Sequence, residues 1–355
     1  MTSLWLLALL PARARDDGTC GAWHAAETLG EVESAALTEV SGLCASHLDP
    51  GTLWLHNDHG GDRALHAADL SSADLGLCEL VGVENEDWED LAPGPCPDPE
   101  AEPCTCLYLA DIGDNALARG GGAIHLVAEP GAPGAGGWTQ SSPLRSLHFA
   151  YPDGPHDAET LLVHPDTGEV LVLTKGDETG VYAFPTVPPE PGTAADPVEL
   201  RRVASFDLRE AGAQEAQVTG GAVSPRGWRV VLRTDEDLVL FTGAFGASLE
   251  SVLNENPVPL PTPPPGRGEA VAFGADGRRL YLVGEGSQPE IWAVDCASFQ
   301  SDGEDAWDPL VDCAPGCGCA GARPRPALLS ALLLALGIAL GRAGGAPAGA
   351  RARPR

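Results

Sequence analysis

The sequence predicts an all-β fold, and three observations support this prediction. Short apolar runs bounded by turn residues recur along the chain, which contains 44 glycines and 32 prolines. Many of these runs form pairs with one fixed spacing. No stretch of the body has the 3.6-residue apolar period of a helix. Together these features predict a β-propeller of five blades, with six blades as the alternative.

The paired runs share one plan, in which a polar anchor opens the first run and a second polar residue closes the next. The two residues are 16 positions apart in four of the five pairs. The remaining pair is 22 apart because it contains an insert from Cys96 to Cys106. The anchors and their closing residues are Ser41 and Asn57, Glu89 and Asp111, Glu159 and Lys175, Thr219 and Asp235, and Glu269 and Glu285.

A third run and a more polar fourth run follow most pairs, so each unit is predicted to hold four strands. A β-sandwich would not repeat one anchor at one spacing. The fifth unit lacks a fourth run, and we expect N-terminal residues 23–33 to supply it and close the ring. The third runs are 64–69, 123–130, 180–185, 238–241 and 290–295, and the fourth runs are 76–83, 144–150, 198–207 and 248–260.

The segments on either side of the body predict an exported protein. Residues 1–14 contain the apolar run Leu4 to Leu10 and an A-x-A-like cleavage site, which is typical of a signal peptide. The remaining chain divides into a β-propeller at 20–296, an acidic stalk with a cysteine motif at 297–325, a transmembrane or sorting helix at 326–341 and a basic tail at 342–355.

The C-terminal segment combines the motif Cys313-x-x-x-Cys317-Gly318-Cys319, an apolar run and an arginine-rich end. The run from Ala327 to Leu340 would rise about 21 Å as a helix, less than the ~30 Å hydrocarbon core of a bilayer. This order resembles the MYXO-CTERM sorting signal. The resemblance implies export, membrane retention through the helix, processing near the cysteines and surface display. An ordinary C-terminal membrane anchor is the alternative.

Cysteine usage agrees with export, because an exported chain with ten cysteines is expected to form disulfides. We expect the insert from Cys96 to Cys106 to be a local disulfide-bonded loop. A zinc site at Cys104 and Cys106 is less favoured because no second close pair completes it. The pairing stays open among the seven body cysteines Cys20, Cys44, Cys78, Cys96, Cys104, Cys106 and Cys296.

The formal charge of −30 restricts the partners. Such a surface repels nucleic acid and anionic lipid headgroups and attracts cations. We therefore expect no nucleic-acid partner, an unidentified extracellular ligand, membrane contact through the C-terminal helix alone, and a monomer.

The anchors predict a cation site, since the innermost strand of every propeller blade starts at the same mouth of the central channel. Oxygen ligands without histidine or cysteine favour Ca²⁺ or Mg²⁺, and we expect Ca²⁺. The alternative is that each anchor caps backbone N–H groups of the neighbouring blade. The expected ligands are Glu89, Glu159, Glu269, Asp58, Asp111 and Glu285.

Three motifs support the fold by resemblance. The segments from His56 to Arg63, from Asp87 to Asp90 and from Asp111 to Asn115 resemble those of uncharacterised secreted bacterial β-propeller proteins. That resemblance covers about 35–295 and implies fold and export, with no established reaction. The architecture is also similar to that of calcium apyrases, five-bladed propellers with channel-lining Glu and Ser around a central Ca²⁺.

Two classes of function remain open. One is a surface-displayed, cation-binding propeller that recognises a glycan or a protein partner. The other is a metal-dependent hydrolase of phosphate esters or similar anions, in which Lys175, Arg63, Arg119 and Arg233 would hold the substrate. A serine hydrolase is disfavoured because no G-x-S-x-G motif is present. The catalytic candidates are His56, Lys175 and Arg119, with His59 as a further candidate acid or base.

Overall fold

The computed structural model describes residues 20–98, 105–262 and 268–297, and the predicted signal peptide, stalk, cysteine motif, C-terminal helix and tail lie outside these ranges. Within them, no helix is long and apolar enough to cross a membrane. The elements are β1 (Glu27–Glu31), β2 (Val40–Ala45), β3 (Thr52–Asn57), β4 (Ala64–Asp69), β5 (Asp74–Leu80), β6 (Trp88–Pro95), β7 (Thr105–Asp111), β8 (Gly121–Ala128), β9 (Trp138–Ser141), β10 (Arg145–Ala150), β11 (Ala158–Val163), β12 (Val170–Thr174), β13 (Thr179–Ala183), β14 (Val198–Glu199), β15 (Arg201–Phe206), β16 (Gly220–Val223), β17 (Arg229–Arg233), β18 (Leu238–Thr242), α1 (Leu249–Leu253), β19 (Val258–Pro259), β20 (Gly268–Phe273), β21 (Arg279–Gly284) and β22 (Glu290–Asp295).

The strands form five sheets, so the fold is the predicted five-bladed propeller and the six-bladed alternative is wrong. In chain order the antiparallel blades are β2-β3-β4-β5, β6-β7-β8-β10, β11-β12-β13-β15, β16-β17-β18-β19 and β20-β21-β22-β1. The first strands of the blades contact one another in a closed cycle, in which β20 returns to β2. These five strands therefore surround the central channel.

The N-terminal segment closes the fifth blade, as predicted. Strand β1 pairs antiparallel with β22, with Glu27 opposite Ala293. An isolated bridge joins Trp23 to Cys296, and a disulfide joins Cys20 to Cys296 with a Cα–Cα distance of 5.6 Å. The two ends of the propeller are therefore joined covalently as well as by backbone hydrogen bonds.

Apolar side chains fill each space between neighbouring blades, which is why the strands read as short continuous apolar runs. Between the second and third blades, for example, Ile124 packs in one cluster with Val172. Between the third and fourth, Leu171 packs with Leu232. Burial on both faces makes the blades mutually dependent, because removing one would expose its neighbours to water.

Two short strands connect successive blades through pairings that the sequence did not predict. Strand β9 lies between β8 and β10 in the chain, yet it pairs parallel with β5 of the first blade, with Trp138 opposite Leu77. Strand β14 lies between β13 and β15 and pairs parallel with β10 of the second blade, with Val198 opposite Phe149. In both cases the segment that leads into the outermost strand of one blade adds a strand to the outer edge of the preceding blade.

The fourth run predicted at 248–260 is a strand only in part: β19 pairs with β18 as the fourth strand of the blade, but helix α1 precedes it. Ser248 is the N-cap of α1, and its side chain accepts a hydrogen bond from the Ser251 N–H at 3.2 Å. Leu249, Val252 and Leu253 have helical spacing and are buried. The Leu249 N–H donates to Glu169 Oε2 of the third blade at 2.8 Å, which further satisfies the helix start.

The cysteines follow the prediction only in part. Cys96 pairs with Cys106, so the local disulfide predicted in the insert is confirmed. The sequence left the pairing of Cys44 and Cys78 open, and both are free thiols. They lie in the apolar cluster between the first two blades with Trp54, and they act there as small apolar side chains.

Candidate metal centre

The anchors lie at the start of the innermost strand of each blade, and four of them occupy β-bulges. Ser41, Glu89, Glu159 and Glu269 are each the extra residue where the pairing of the first two strands of a blade shifts by one. A bulge redirects a side chain that regular alternation would point elsewhere. Thr219 instead precedes β16, with its N–H bonded to the Arg233 carbonyl. The bulges explain why a polar anchor can open a strand that is otherwise apolar.

Three blades contribute to one cluster of carboxylates, which we call the acid cluster. Asp58 follows β3 in the first blade, Asp87 and Glu89 open the second blade, and Asp157 and Glu159 open the third. Oxygens of Asp58, Asp87 and Glu89 lie within 4.8 Å of one another, and so do those of Glu89, Asp157 and Glu159. Glu89 belongs to both groups and is therefore the centre of the cluster.

Few donors in the described part of the chain hold this cluster. Ser41 Oγ donates to the Glu89 backbone carbonyl at 2.8 Å and contacts Glu89 Oε2 at 3.1 Å. Lys175 Nζ donates to Glu159 Oε1 at 2.7 Å. The Asp114 N–H donates to Asp157 Oδ1 at 2.8 Å. Lys175 is thus the cation that neutralises the third-blade side of the cluster.

The first-blade side has buried oxygens with no hydrogen-bond donor. Within the described ranges, Asp58 Oδ1 and Asp87 Oδ1 are buried and accept no hydrogen bond, although His59 Nδ1 lies 3.4 Å from Asp87 Oδ1. A buried carboxylate oxygen without a donor is unfavourable. Gly113 lies directly against these groups, and a Cβ there would collide with Glu89 Oε1 and Asp87 Cγ. The chain therefore keeps space for oxygens that lack a protein partner.

Burial shifts the acid–base behaviour of the cluster. It raises the pKa of Asp87 to about 6, with the neighbouring Asp58 adding to the effect. It raises the pKa of Glu159 to about 7, which Lys175 only partly offsets, and it places the pKa of Glu89 well above its ordinary value. Near neutral pH the cluster therefore tends to take up protons, unless another cation supplies positive charge.

The predicted cationic residues are already bound to protein groups. Arg119 Nη2 contacts Asp111 Oδ1 at 2.6 Å, and its Nη1 donates to the Gly113 carbonyl at 2.8 Å. Arg233 Nη1 donates to the carbonyls of Ala270 at 2.6 Å and Val283 at 2.9 Å. Arg119 thus fixes the loop beside the acid cluster, whereas Arg233 ties the fourth blade to the fifth.

The candidate histidines differ in position. His56 is fully buried, its Nδ1 lies 3.0 Å from the Asn57 carbonyl, and its ring meets Trp88 edge-on at 5.7 Å. The absence of a side chain at Gly42 makes room for this ring. Burial lowers the pKa of His56 to about 4, so it is neutral at pH 7 and serves as packing. His59 is exposed at the edge of the cluster.

Asp90, which follows the anchor Glu89, caps backbone N–H groups of two neighbouring blades. Its two oxygens accept hydrogen bonds from the N–H groups of Leu91 and, in the third blade, Leu161, both at 2.8 Å. Burial raises the pKa of Asp90 to about 8. Beyond it the channel wall turns apolar, with Leu43 and Phe273 among its residues. Asp90 therefore marks the floor of the acidic mouth.

Comparison with known proteins gives little to identify the chain. No protein-family model matches it. A stretch of 75 residues, 18% of this chain, is 39% identical to urease accessory protein UreD of Methylibium petroleiphilum. The chain spans about a quarter of that protein, since the match covers 25% of it. So short a match shows no family.

Of the six expected metal ligands, the structure brings Glu89, Glu159 and Asp58 together. Asp111 is held by Arg119, and Glu285 is exposed and lies in neither carboxylate group. Glu269 lies farther round the mouth, where burial and then Glu159 raise its pKa to about 8.

Sequence reasoning left two members of the acid cluster out of the ligand set. Asp87 and Asp157 each stand two positions before the anchor glutamate of their blade. The repeated D-x-E pattern at the start of the second and third blades is the signal that would have found them.

Proposed function

We propose that the protein is an exported, surface-anchored β-propeller that binds a divalent cation in the acid cluster and recognises a glycan or protein partner. The observation that carries this proposal is the group of Asp58, Asp87 and Glu89, whose oxygens lie within 4.8 Å of one another. In this group the buried Asp58 Oδ1 and Asp87 Oδ1 accept no hydrogen bond. At that separation, two carboxylates repel by about 3 kcal/mol at an effective dielectric of ~20. A divalent ion would replace this repulsion by ligation.

The cation site belongs on the first-blade side of the acid cluster. On the other side Lys175 already neutralises Glu159 at 2.7 Å, whereas the described residues place no lysine or arginine on Asp58 or Glu89. Calcium suits the site because it takes 6–8 oxygen ligands in irregular geometry, whereas Mg²⁺ requires a near-ideal octahedron. Asp58, Asp87 and Glu89 would supply the protein oxygens, and water would complete the shell.

Other features support the remaining parts of the proposal. Two disulfides favour an oxidising compartment, which agrees with export. The C-terminal cysteine motif and apolar run favour attachment at the cell surface until processing. The net charge of −30 argues against nucleic acid as the partner, and nothing in the proposal requires more than a monomer.

A binding protein is favoured over the alternative metal-dependent hydrolase. A phosphate ester requires free positive charge beside the metal to hold its anion. Lys175 and Arg119, the cations nearest the acid cluster, already contact Glu159 and Asp111. A substrate anion would have to compete with these buried carboxylates.

Elemental analysis and calcium titration by calorimetry test the cation site. We expect about one calcium per chain, with binding lost in Glu89→Gln because it removes the charge shared by both carboxylate groups. Asp166→Asn is the matched control, since Asp166 is exposed in the turn at the opposite end of β11. Absence of bound metal, together with no calorimetric response to Ca²⁺ or Mg²⁺, would contradict the proposal.

A further inference from the structure

Trp138 is an exposed aromatic side chain on a rigid backbone. It is 57% exposed, whereas Trp54 and Trp88 are fully buried. Trp138 opens β9, which pairs parallel with β5 of the first blade. Gly76 has a φ of 90°, and a Cβ there would meet the carbonyl oxygens of Gly134 and Gly137. The turn that leads into Trp138 therefore packs closely against β5, although the tryptophan side chain is exposed.

The ring of Trp138 borders an open cleft of about 640 Å³. This is within the usual range for small-molecule sites, which is about 300–1,000 Å³. The cleft is too small for a folded partner but is large enough for one or two sugar rings. Its polar walls consist of Asp62, Arg63, Glu79, Glu84 and Asn85.

These polar side chains hold one another in place. Arg63 lies 3.1 Å from Glu84 Oε1 and 3.7 Å from Glu79 Oε1. The second Glu79 oxygen accepts from Gln140 Nε2 at 2.9 Å. Asp62 Oδ2 contacts His66 Nε2 at 2.9 Å. The cleft therefore presents planar donors and acceptors with restricted freedom, which lowers the entropic cost of binding.

We propose that this cleft binds a neutral sugar, as the recognition site of the surface glycan partner. A pyranose ring has an apolar C–H face, which would stack on Trp138, and a rim of hydroxyls that both donate and accept. The mixture of one guanidinium and three carboxylates suits hydroxyl groups. The three carboxylates disfavour an anionic ligand. An amine would have to displace Arg63 from Glu79 and Glu84 or His66 from Asp62. This inference rests on the recognition part of the proposed function and is independent of the cation.

The test is titration of the full-length protein with neutral sugars, followed by calorimetry and tryptophan fluorescence. The probes are glucose, galactose, mannose, N-acetylglucosamine and their β-linked disaccharides. We expect at least one to bind in the millimolar range or tighter and to change tryptophan emission. Trp138→Ala should weaken that binding at least tenfold, and Trp138→Phe should retain part of it.

Phe245→Ala is the matched control, because Phe245 is 69% exposed and follows β18 of the fourth blade. It should bind the sugar as the unaltered protein does. Trp138→Ala should keep its calcium response, so loss of sugar binding would be separate from failure of the cation site. The inference is overturned if none of these neutral sugars binds, or if Trp138→Ala binds equally well.

Discussion

Raising the pH of the calcium-free protein from 5 to 8 should destabilise it, because carboxylates of the acid cluster then lose protons inside the fold. Glu159 shows the size of the effect, with burial raising its pKa from an ordinary 4.5 to about 7. Each pKa unit corresponds to about 1.4 kcal/mol. Ionising Glu159 in the folded protein therefore reduces the free energy of unfolding by about 3 kcal/mol.

The direction follows from proton binding. A carboxyl group whose pKa is higher in the folded than in the unfolded chain binds protons more tightly when folded, so stability falls as pH rises between the two values. For Glu159 this window is about pH 4.5 to 7, and Asp87 and Glu269, with raised pKa values of about 6 and 8, extend the same trend. Glu89, Asp157 and Lys175 face Glu159 and modify the size of this trend.

Calcium should reverse the loss at pH 8 and have little effect at pH 5, where protons occupy the carboxylates. At a hundredfold excess over Kd, a ligand of the folded state adds about 2.7 kcal/mol. For a domain of this size, that corresponds to a rise in Tm of about 5 °C. The assay is calorimetric melting at both pH values, with calcium or with a chelator.

Glu89→Gln should lose the calcium effect and show a weaker pH dependence, whereas Asp166→Asn should behave as the unaltered protein does. Two results would refute the reasoning. One is an equal Tm for the chelated protein at pH 5 and pH 8. The other is a calcium effect of the same size at both pH values.

Two further predictions concern the backbone around the site and the closure of the ring. Gly113→Ala should reduce the free energy of unfolding by about 1–3 kcal/mol and weaken calcium binding, because the added Cβ collides with Glu89 and Asp87. Urea unfolding and calcium titration measure both effects, and unchanged values would contradict the tight fit. Replacing Cys20 and Cys296 by serine should cost up to about 5 kcal/mol, since their disulfide closes a loop of 276 residues. Thermal unfolding measures this loss, and replacing Cys96 and Cys106 by serine is the comparison, which should cost less because their disulfide spans a sequence separation of 10.

The sequence was sufficient to predict the blades because the paired strands are local hairpins. Their turns and apolar runs are adjacent in the chain, and the 16-residue spacing joins an anchor to the end of the next strand. The outer strands were predicted less well because they contact solvent on one side, which makes their apolar pattern less continuous. At 248–253 a Ser248 cap and helically spaced leucines outweighed the expected strand. Strand β9 is short and pairs with another blade, so no local signal marks it. Strand β14 lies inside the predicted run 198–207, but no local signal shows that it pairs with another blade.

The acid cluster was harder to predict than the fold because it depends on bulges and on pairs formed across blades. A bulge shifts the pairing by one residue, so the side-chain direction of Glu89 cannot be obtained from simple alternation. Asp111 closes its strand as predicted, but Arg119, eight positions later in the chain, holds its carboxylate. Whether Asp111 pairs with Arg119 or stays available to a metal ion depends on the conformation of the loop between them.

The disulfide between Cys20 and Cys296 also determines how the propeller would bear a mechanical load. If one end of a chain is fixed to a surface and the other is pulled, tension passes along the shortest covalent path. Here that path runs from Cys20 through two sulfur atoms to Cys296, so the 276-residue loop between them lies outside it. While the bond is intact, the blades and the acid cluster would carry no tension applied at these two ends, and reduction would place the whole ring in the path of the force.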